Sequence, residues 1–347
     1  MKAVGYTRAG SLDGDGELVD VELPQPAPGE HDLIVKVQAV SVNPADCHVR
    51  GTEHPPAGQT RVLGWDAVGT IVGFGESVAD EPLLEHFALG DRVYYAGAVD
   101  RPGANAEYHV VDAHLAAHAP TSLSDAAAAA LPLTSLTAWE MLFDRLEVTR
   151  PVPGAGSAVL IIGGGGGVGS MAIQLLRALT NVTVIATASR PVTKAWCANL
   201  GAHHVLDHSQ ALAPQVAELG IGEPGYVFST AGSGERQTDI LELLAPQGRF
   251  GYVDCPDELD IKAFQTKCIS LHPEDVFMRS RLRTIDLAEQ GEILRQIGEL
   301  VDAGKIRTTL TSTLGAINAA NLSQAHRLIE SGTAVGKFGL EGFTPQP

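Results

Sequence analysis

Five consecutive glycines, Gly163–Gly167, stand between the apolar run Ala158–Ile162 and the helix-like segment "SMAIQLLRAL". A glycine run can be slack linker, but linkers are flanked by polar, flexible residues. Here an apolar strand feeds straight into an amphipathic helix. Within the run, Gly164, Gly166 and Gly169 satisfy G-x-G-x-x-G. That spacing turns the chain tightly, brings backbone N–H groups to a pyrophosphate and packs the helix closely on the strand. Gly167 and Val168 open the helix, whose N-terminus then faces the anion. The motif alone is weak; its strand–turn–helix setting makes it a candidate dinucleotide-binding turn.

The sequence around it alternates strand and helix. "VTVIATAS", "HHVLDH", "YVFSTAG" and "RFGYVD" read as strands, with helices through "TKAWCANLG" and "RQTDILELLAPQG", the latter capped by Gly248. This grammar predicts an α/β fold with a parallel, doubly wound sheet. About 20 residues beyond such a turn, an NAD site places Asp or Glu on the ribose 2′-OH. In this chain the position reads "ATASRP", offering Ser189 and Arg190, with Lys194 one helical turn on. A hydroxyl and cations in place of a carboxylate favour a 2′-phosphate, hence NADPH over NADH. The first third is different in character, with short alternating strands such as "LIVKVQAVSV" (Leu33–Val42), "DAVGTIVGFG" and "DRVYYAG" punctuated by Gly and Pro. Ser124 and Asp125 start a helix through Ala126–Ala130 that stops at Pro132, and a second helix is expected from Thr134 to Leu146. "GEILRQIGELVDAGKI" and "NLSQAHRLIESG" are later amphipathic helices.

Composition removes several function classes. At 347 residues the chain suits two domains, on a prior of roughly 100–200 residues each. Lys+Arg 24 against Asp+Glu 41 gives a formal charge of −17, which repels nucleic acid and anionic membranes and leaves small molecules or protein subunits as partners. Cys47, Cys197, Cys255 and Cys268 form no C-x-x-C pair, consistent with a reducing, cytoplasmic setting. No signal-peptide core and no uninterrupted apolar run of membrane-spanning length is apparent.

Several further stretches occur in a characteristic order: "VQAVSVNPADCHVRG", "LGWDAVGTIVGFGESV", "FALGDRVYY", "GANAEYHVVD", "AAALPLTSLTAWEML", the glycine turn and "GKFGLE". In these the chain resembles the medium-chain dehydrogenase/reductase superfamily, and within it the zinc-free, quinone-oxidoreductase-like members. The resemblance implies a discontinuous GroES-like β-rich catalytic domain (1–133 and 281–347) and a Rossmann dinucleotide-binding domain (134–280). It also implies a homodimer joined edge to edge through the nucleotide-binding sheet. Zinc-dependent relatives carry a Cys, a Gly-His-Glu and a second Cys, for which this chain has Asn43, Trp65-Asp66 and "LPLTS". No metal is therefore expected. Cys47 and His48 are adjacent on what reads as a strand-to-turn segment, and His203, His204 and His208 read as ordinary sheet-end histidines.

Without a Lewis acid, oxidation of simple alcohols is a poor match. Quinones and α,β-unsaturated carbonyls accept hydride with only hydrogen-bond donors at the oxygen. The resemblance places Asn43 near the nicotinamide as such a donor, Thr134 near the carboxamide or ribose, and Lys337 near the cofactor. Trp65 and Tyr95 are candidate pocket walls, and Tyr94 and Tyr95 candidate phenolic donors. The expected activity is NADPH-dependent reduction of quinones or enones. The alternative is an NADPH-binding regulatory or structural protein with vestigial activity.

Overall fold

The computed structural model describes residues 1–78, 86–254, 256 and 258–343; Cys255 lies outside them. The chain forms two compact units, Met1–Leu133 with Phe277–Pro347, and Thr134–Val276.

In the first unit, strands β1 (Lys2–Tyr6), β2 (Val19–Glu22) and β4 (Arg61–Val62) make a small antiparallel sheet in the order β2-β1-β4. The hub of the larger sheet is β3 (Asp32–Ser41). Its alternation buries Leu33, Val35, Val37 and Ala39 while exposing Lys36, as a half-buried strand should. It pairs antiparallel with β5 (Ala67–Phe74) and β7 (Tyr108–Asp112), and β5 continues to β6 (Arg92–Tyr95) and β8 (Ala116–His118). After β3 the chain forms helix α1 (Pro44–Thr52), not the expected strand-to-turn segment. Pro44 sits where its missing N–H costs nothing, and Asp46 accepts the N–H of Asn43 at 2.8 Å. Helix α2 (Asp125–Ala129) is capped by Ser124, whose hydroxyl accepts from Ala127 N–H.

Helix α3 (Pro132–Trp139) begins at Pro132, and residues 140–145 continue it as a π-helix, so the expected Thr134–Leu146 helix is not uniformly α. The run Asp125–Arg145 is apolar and long enough to cross a membrane by composition alone, yet 89% of its apolar window is buried within the protein, as in a core helix.

The second unit is a parallel sheet. Strands β9 (Gly156–Ile162), β10 (Thr183–Thr187), β11 (His204–Leu206), β12 (Pro224–Ser229), β13 (Arg249–Tyr252) and β14 (Ser270–Pro273) lie in the order β11-β10-β9-β12-β13-β14. Crossovers are helices α4 (Gly167–Leu179), α5 (Pro191–Asn199), α6 (Leu212–Glu218), α7 (Gln237–Leu243) and α8 (Ile261–Gln265). This is the doubly wound order, with the chain reversing direction across the sheet beside β9. Leu160, Ile162, Ile185, Val227, Ile240 and Phe250 share one apolar core in it. Helix α7 ends at Leu243, capped by Leu244; the left-handed residue is Gln247 (φ 63°), and Gly248 leads into β13 instead of capping the helix.

The chain then returns to the first unit with α9 (Met278–Leu282), α10 (Glu289–Asp302), β15 (Leu310–Thr313), α11 (Ala319–Glu330) and β16 (Lys337–Glu341). β16 pairs antiparallel with β3, placing Gly339 opposite Ser41, and this pairing positions Lys337.

Candidate functional site

The glycine turn of the second unit joins β9 to α4, with Gly166 as the helix N-cap. Gly163 has φ 84°, and a Cβ there would lie 2.2 Å from Thr230 Oγ1. At Gly169 an added Cβ would lie 2.3 Å from the Gly163 carbonyl oxygen and 2.7 Å from Gly164 Cα, so helix and turn are in backbone contact. Gly166 differs: its nearest protein atom would be 3.7 Å away, leaving room beside the backbone. An open face at the N-cap, with first-turn N–H groups lacking intrahelical acceptors, fits the pyrophosphate of a dinucleotide. Thr187, at the end of β10, fixes the turn by accepting Gly163 N–H on Oγ1 (3.1 Å) and Gly164 N–H on its carbonyl (3.0 Å).

At the same end of the sheet, Arg190 is the N-cap of α5 and, with Ser189, is partly exposed. Lys194 is not free to face a ligand alone: its ammonium bonds Asp207 at 2.8 Å. The Lys194 ammonium and the Ser209 hydroxyl and N–H together hold the Asp207 carboxyl well below its usual range.

In the first unit, adjacent strands bring Asn43, Asp66 and Lys337 together. Asn43 follows β3, Asp66 precedes β5, Lys337 opens β16, and all three are buried. Asn43 Nδ2 donates to Asp66 Oδ2 at 2.8 Å. The Lys337 ammonium donates to Val42 O at 2.7 Å and to Asn43 Oδ1, and lies 3.0 Å from Asp66 Oδ2. Asp66 Oδ1 accepts Leu133 N–H at 2.7 Å. With both its oxygen and one N–H engaged, the Asn43 amide has a single orientation. Burial raises the Asp66 pKa, and Lys337 opposes that rise. Asp46 accepts N–H bonds from Asn43 (2.8 Å) and Gly64 (2.9 Å), and burial pushes its carboxyl up to about 7 against those bonds. The Lys337 ammonium, the expected cofactor neighbour, is engaged in this interior network.

Trp65 and Tyr95 are also interior residues. Trp65 is 1% exposed, donates Nε1–H to Ala98 O at 3.2 Å and meets Phe277 edge-on at 5.6 Å. Tyr95 stacks on His109, with its hydroxyl 3.1 Å from Nδ1, while His109 Nε2 is 2.9 Å from Pro102 O. The carbonyl requires the proton on Nε2, so Nδ1 accepts a hydrogen bond from the Tyr95 hydroxyl. Burial raises the pKa of Tyr95 and of Tyr94, whose hydroxyl donates to Leu294 O. Each phenol hydroxyl is hydrogen-bonded within the first unit, and Trp65 and Tyr95 are both buried there. Thr134 lies within the first turn of α3 and is buried.

A doubly wound sheet with a glycine turn at its reversal, joined to a β-rich unit assembled from both chain ends, can now be compared with known proteins. The alcohol dehydrogenase GroES-like domain family matches residues 29–121 and the zinc-binding dehydrogenase family residues 167–286. A Staphylococcus aureus zinc-type alcohol dehydrogenase-like protein is 37% identical over 97% of this chain and 99% of its own length. This chain is a medium-chain dehydrogenase/reductase. A Rhizobium etli protein, provisionally named a zinc-dependent alcohol dehydrogenase, has a solved structure 52% identical to this medium-chain dehydrogenase/reductase, with TM-score 0.95 and 99% of each chain covered. A mycobacterial structure complexed with NADPH is 27% identical, with TM-score 0.80, covering 98% of this chain and 99% of its own. The superfamily makes the chain an oxidoreductase and implies a nicotinamide cofactor.

Those family names raise the question of zinc. A zinc site needs three or four N, S or O ligands converging. Among the described residues no group of three or more His, Cys, Asp or Glu is placed to hold a metal. Asn43 and Asp66 do lie together, but the cation among their oxygens is the Lys337 ammonium. Cys47 Sγ points to the His326 carbonyl at 3.9 Å, and burial pushes its thiol pKa up, away from the thiolate a metal would require. These residues do not fit zinc.

Proposed function

We propose that this enzyme is a zinc-independent, NADPH-dependent oxidoreductase that transfers hydride to quinones or α,β-unsaturated carbonyls. The observation that carries the reading is the pairing of an open glycine turn with a β10 end bearing Ser189 and Arg190 and no carboxylate. A mycobacterial quinone oxidoreductase of 27% identity and TM-score 0.78 supports the acceptor class. When bound, NADPH supplies the hydride. The chain's own part is to hold the pyrophosphate at the α4 N-terminus and to stabilise charge developing on the acceptor oxygen. For the latter the candidate donor is the amide N–H of Asn43 that Asp66 does not take, with its direction set by Lys337 and Asp66. Thr134 is the candidate contact to the nicotinamide half.

The test is consumption of NADPH and NADH by metal-stripped protein with a panel of ortho- and para-quinones and enones. NADPH-dependent turnover is expected, and a strict need for added zinc would overturn the reading. Asn43→Ala should lower enone turnover about 100-fold, the scale for losing one such donor, while leaving NADPH affinity unchanged. Unchanged turnover would remove Asn43 from the chemistry.

A second reading, an NADPH-binding protein with vestigial activity, draws on the burial and internal hydrogen bonding of Asn43, Trp65, Tyr95 and Lys337. Tight NADPH binding with no turnover on any acceptor would favour it. We also propose a cytoplasmic homodimer built through β14, the terminal strand of the second unit's sheet. Sedimentation at the monomer mass would contradict the dimer.

A further inference from the structure

Asn43, the proposed donor, and Asp66, which orients its amide, sit on separate segments: Asn43 is the N-cap of α1, and Asp66 lies in the turn between β4 and β5. One carboxylate ties the two segments together. Asp46, 1% exposed, accepts Asn43 N–H on Oδ2 at 2.8 Å and Gly64 N–H, from the same turn as Asp66, on Oδ1 at 2.9 Å. The Gly64 end of this strut is a fixed frame. Gly103, Ala104 and Asn105 donate their N–H groups to the carbonyls of Val62 (2.9 Å), Gly64 (2.9 Å) and Leu63 (2.8 Å). Gly64 itself has φ 112°, and a Cβ there would lie 2.7 Å from Asn105 Oδ1. At the other end Asn43 is extended, with φ −123° and ψ 158°, and its amide bonds Asp66 and Lys337. Its backbone N–H is held to the frame through Asp46.

We propose that Asp46 is a positioning residue for the reduction: as a carboxylate it holds the Asn43 amide in place for the acceptor oxygen, and turnover falls when it takes up a proton. The proposal rests on the reading of Asn43 as the donor. Both partners of the carboxylate are N–H groups, so both of its oxygens serve as acceptors. The acid form keeps one carbonyl oxygen, while its hydroxyl oxygen is a poorer acceptor and gives up the charge assistance. One of the two ties then slackens. The charged groups that face Asp46 are Lys337 from β16 and Asp66 from the turn before β5, with the Cys47 thiol next to it on α1. Burial is the largest influence and raises the carboxyl to about 7; the Asn43 N–H and Lys337 oppose that rise, and Asp66 adds to it. Burial also raises the Cys47 pKa, so that group stays a thiol and does not titrate there. Asp46 is therefore the carboxylate above about pH 7 and the acid below it, its proton coming from solvent.

The test is kcat against pH, from pH 5 to pH 9, on the full chain with an enone and saturating NADPH, so that titration of the cofactor phosphate does not enter. Turnover should be level above about pH 7 and fall about tenfold per pH unit below it, as for one essential base. Asp46→Asn keeps the shape and one acceptor oxygen. It should turn over about tenfold more slowly at pH 8, the scale of one hydrogen bond, show no bend near pH 7 and bind NADPH as before. Asn43→Ala leaves Asp46 and its backbone partners in place, and there too the bend should vanish, because the group that Asp46 positions is gone. Adding Asp46→Asn to Asn43→Ala should lower turnover no further. A level profile in the unsubstituted protein, a bend that survives in either variant, or losses that multiply in the double variant would overturn this proposal while a deep loss in Asn43→Ala keeps the donor reading. Full turnover in Asn43→Ala, or no turnover on any acceptor, would overturn both.

Discussion

The glycine turn and the Asn43–Asp66–Lys337 network are built on opposite principles. The turn works by leaving side chains out: helix α4 reaches the backbone of Gly163 and Gly164 only because Gly169 has no Cβ, and Gly166 leaves space for a ligand. The network works by putting charge in. A carboxylate and an ammonium, 0% and 3% exposed at their side chains, satisfy each other and one amide in the interior. The first makes room for something that arrives from outside. The second has filled, with a residue of the chain, a position that a cation could occupy.

The sharpest way to break the comparison is at the turn itself. Gly169→Val would drive Cβ into the Gly163 carbonyl, so the second unit should fail to fold, read as loss of its cooperative thermal transition. Gly166→Ala would put its Cβ at an ordinary contact distance, 3.7 Å from the Gly163 carbonyl oxygen, and should keep the melting temperature within a few degrees while weakening NADPH. Equal effects of the two would mean that the open face at Gly166 has no ligand-binding role.

Next in size is Lys337→Met, which strands the Asp66 carboxylate in the interior and should cost about 3–5 kcal/mol of stability at neutral pH. The Asp66 pKa is already raised by burial and would rise further without the lysine, so the deficit should shrink as pH falls and the carboxyl protonates. Adding Asp66→Asn should return most of the loss. A single substitution that is silent by denaturant unfolding would show that the network is not an electrostatic unit.

The smallest effect at neutral pH concerns His326, fully buried beside Arg50 and held down to about 3 by burial first and then by that guanidinium. A depressed folded pKa means that stability present above about pH 6.5 is lost as pH falls towards 3. His326→Gln should flatten that decline by up to about 1.4 kcal/mol per pH unit. His109, pushed down to about 4 by burial, has the same sign, while Asp46, raised to about 7, stabilises as pH falls below 7. The comparison must therefore be between variants at each pH.

What could be read from the sequence follows the same division. The turn, the alternating β-α segments and helices α10 and α11 are local patterns, visible as period and punctuation. Helix α1 was missed because it is nine residues long and buries only Asp46, Val49 and Arg50, too few for a helical stripe. The π-helical turn at Glu140–Arg145 leaves hydrophobic periodicity almost unchanged, so an α-helix was the natural expectation. Lys337 joins Asn43 from nearly the other end of the chain, and Lys194 is claimed by Asp207, just past the next strand. Pairings of that kind depend on sheet order, which no spacing in the sequence states.

The proposed hydride transfer without a metal can be followed by isotope. Metal-stripped protein should be given NADPH deuterated at the transferring C4 position together with an enone, and the product analysed by mass spectrometry. One deuterium bonded to product carbon is expected, at a rate that added zinc does not raise. Reduction that appears only after zinc is restored, or product free of deuterium, would contradict it.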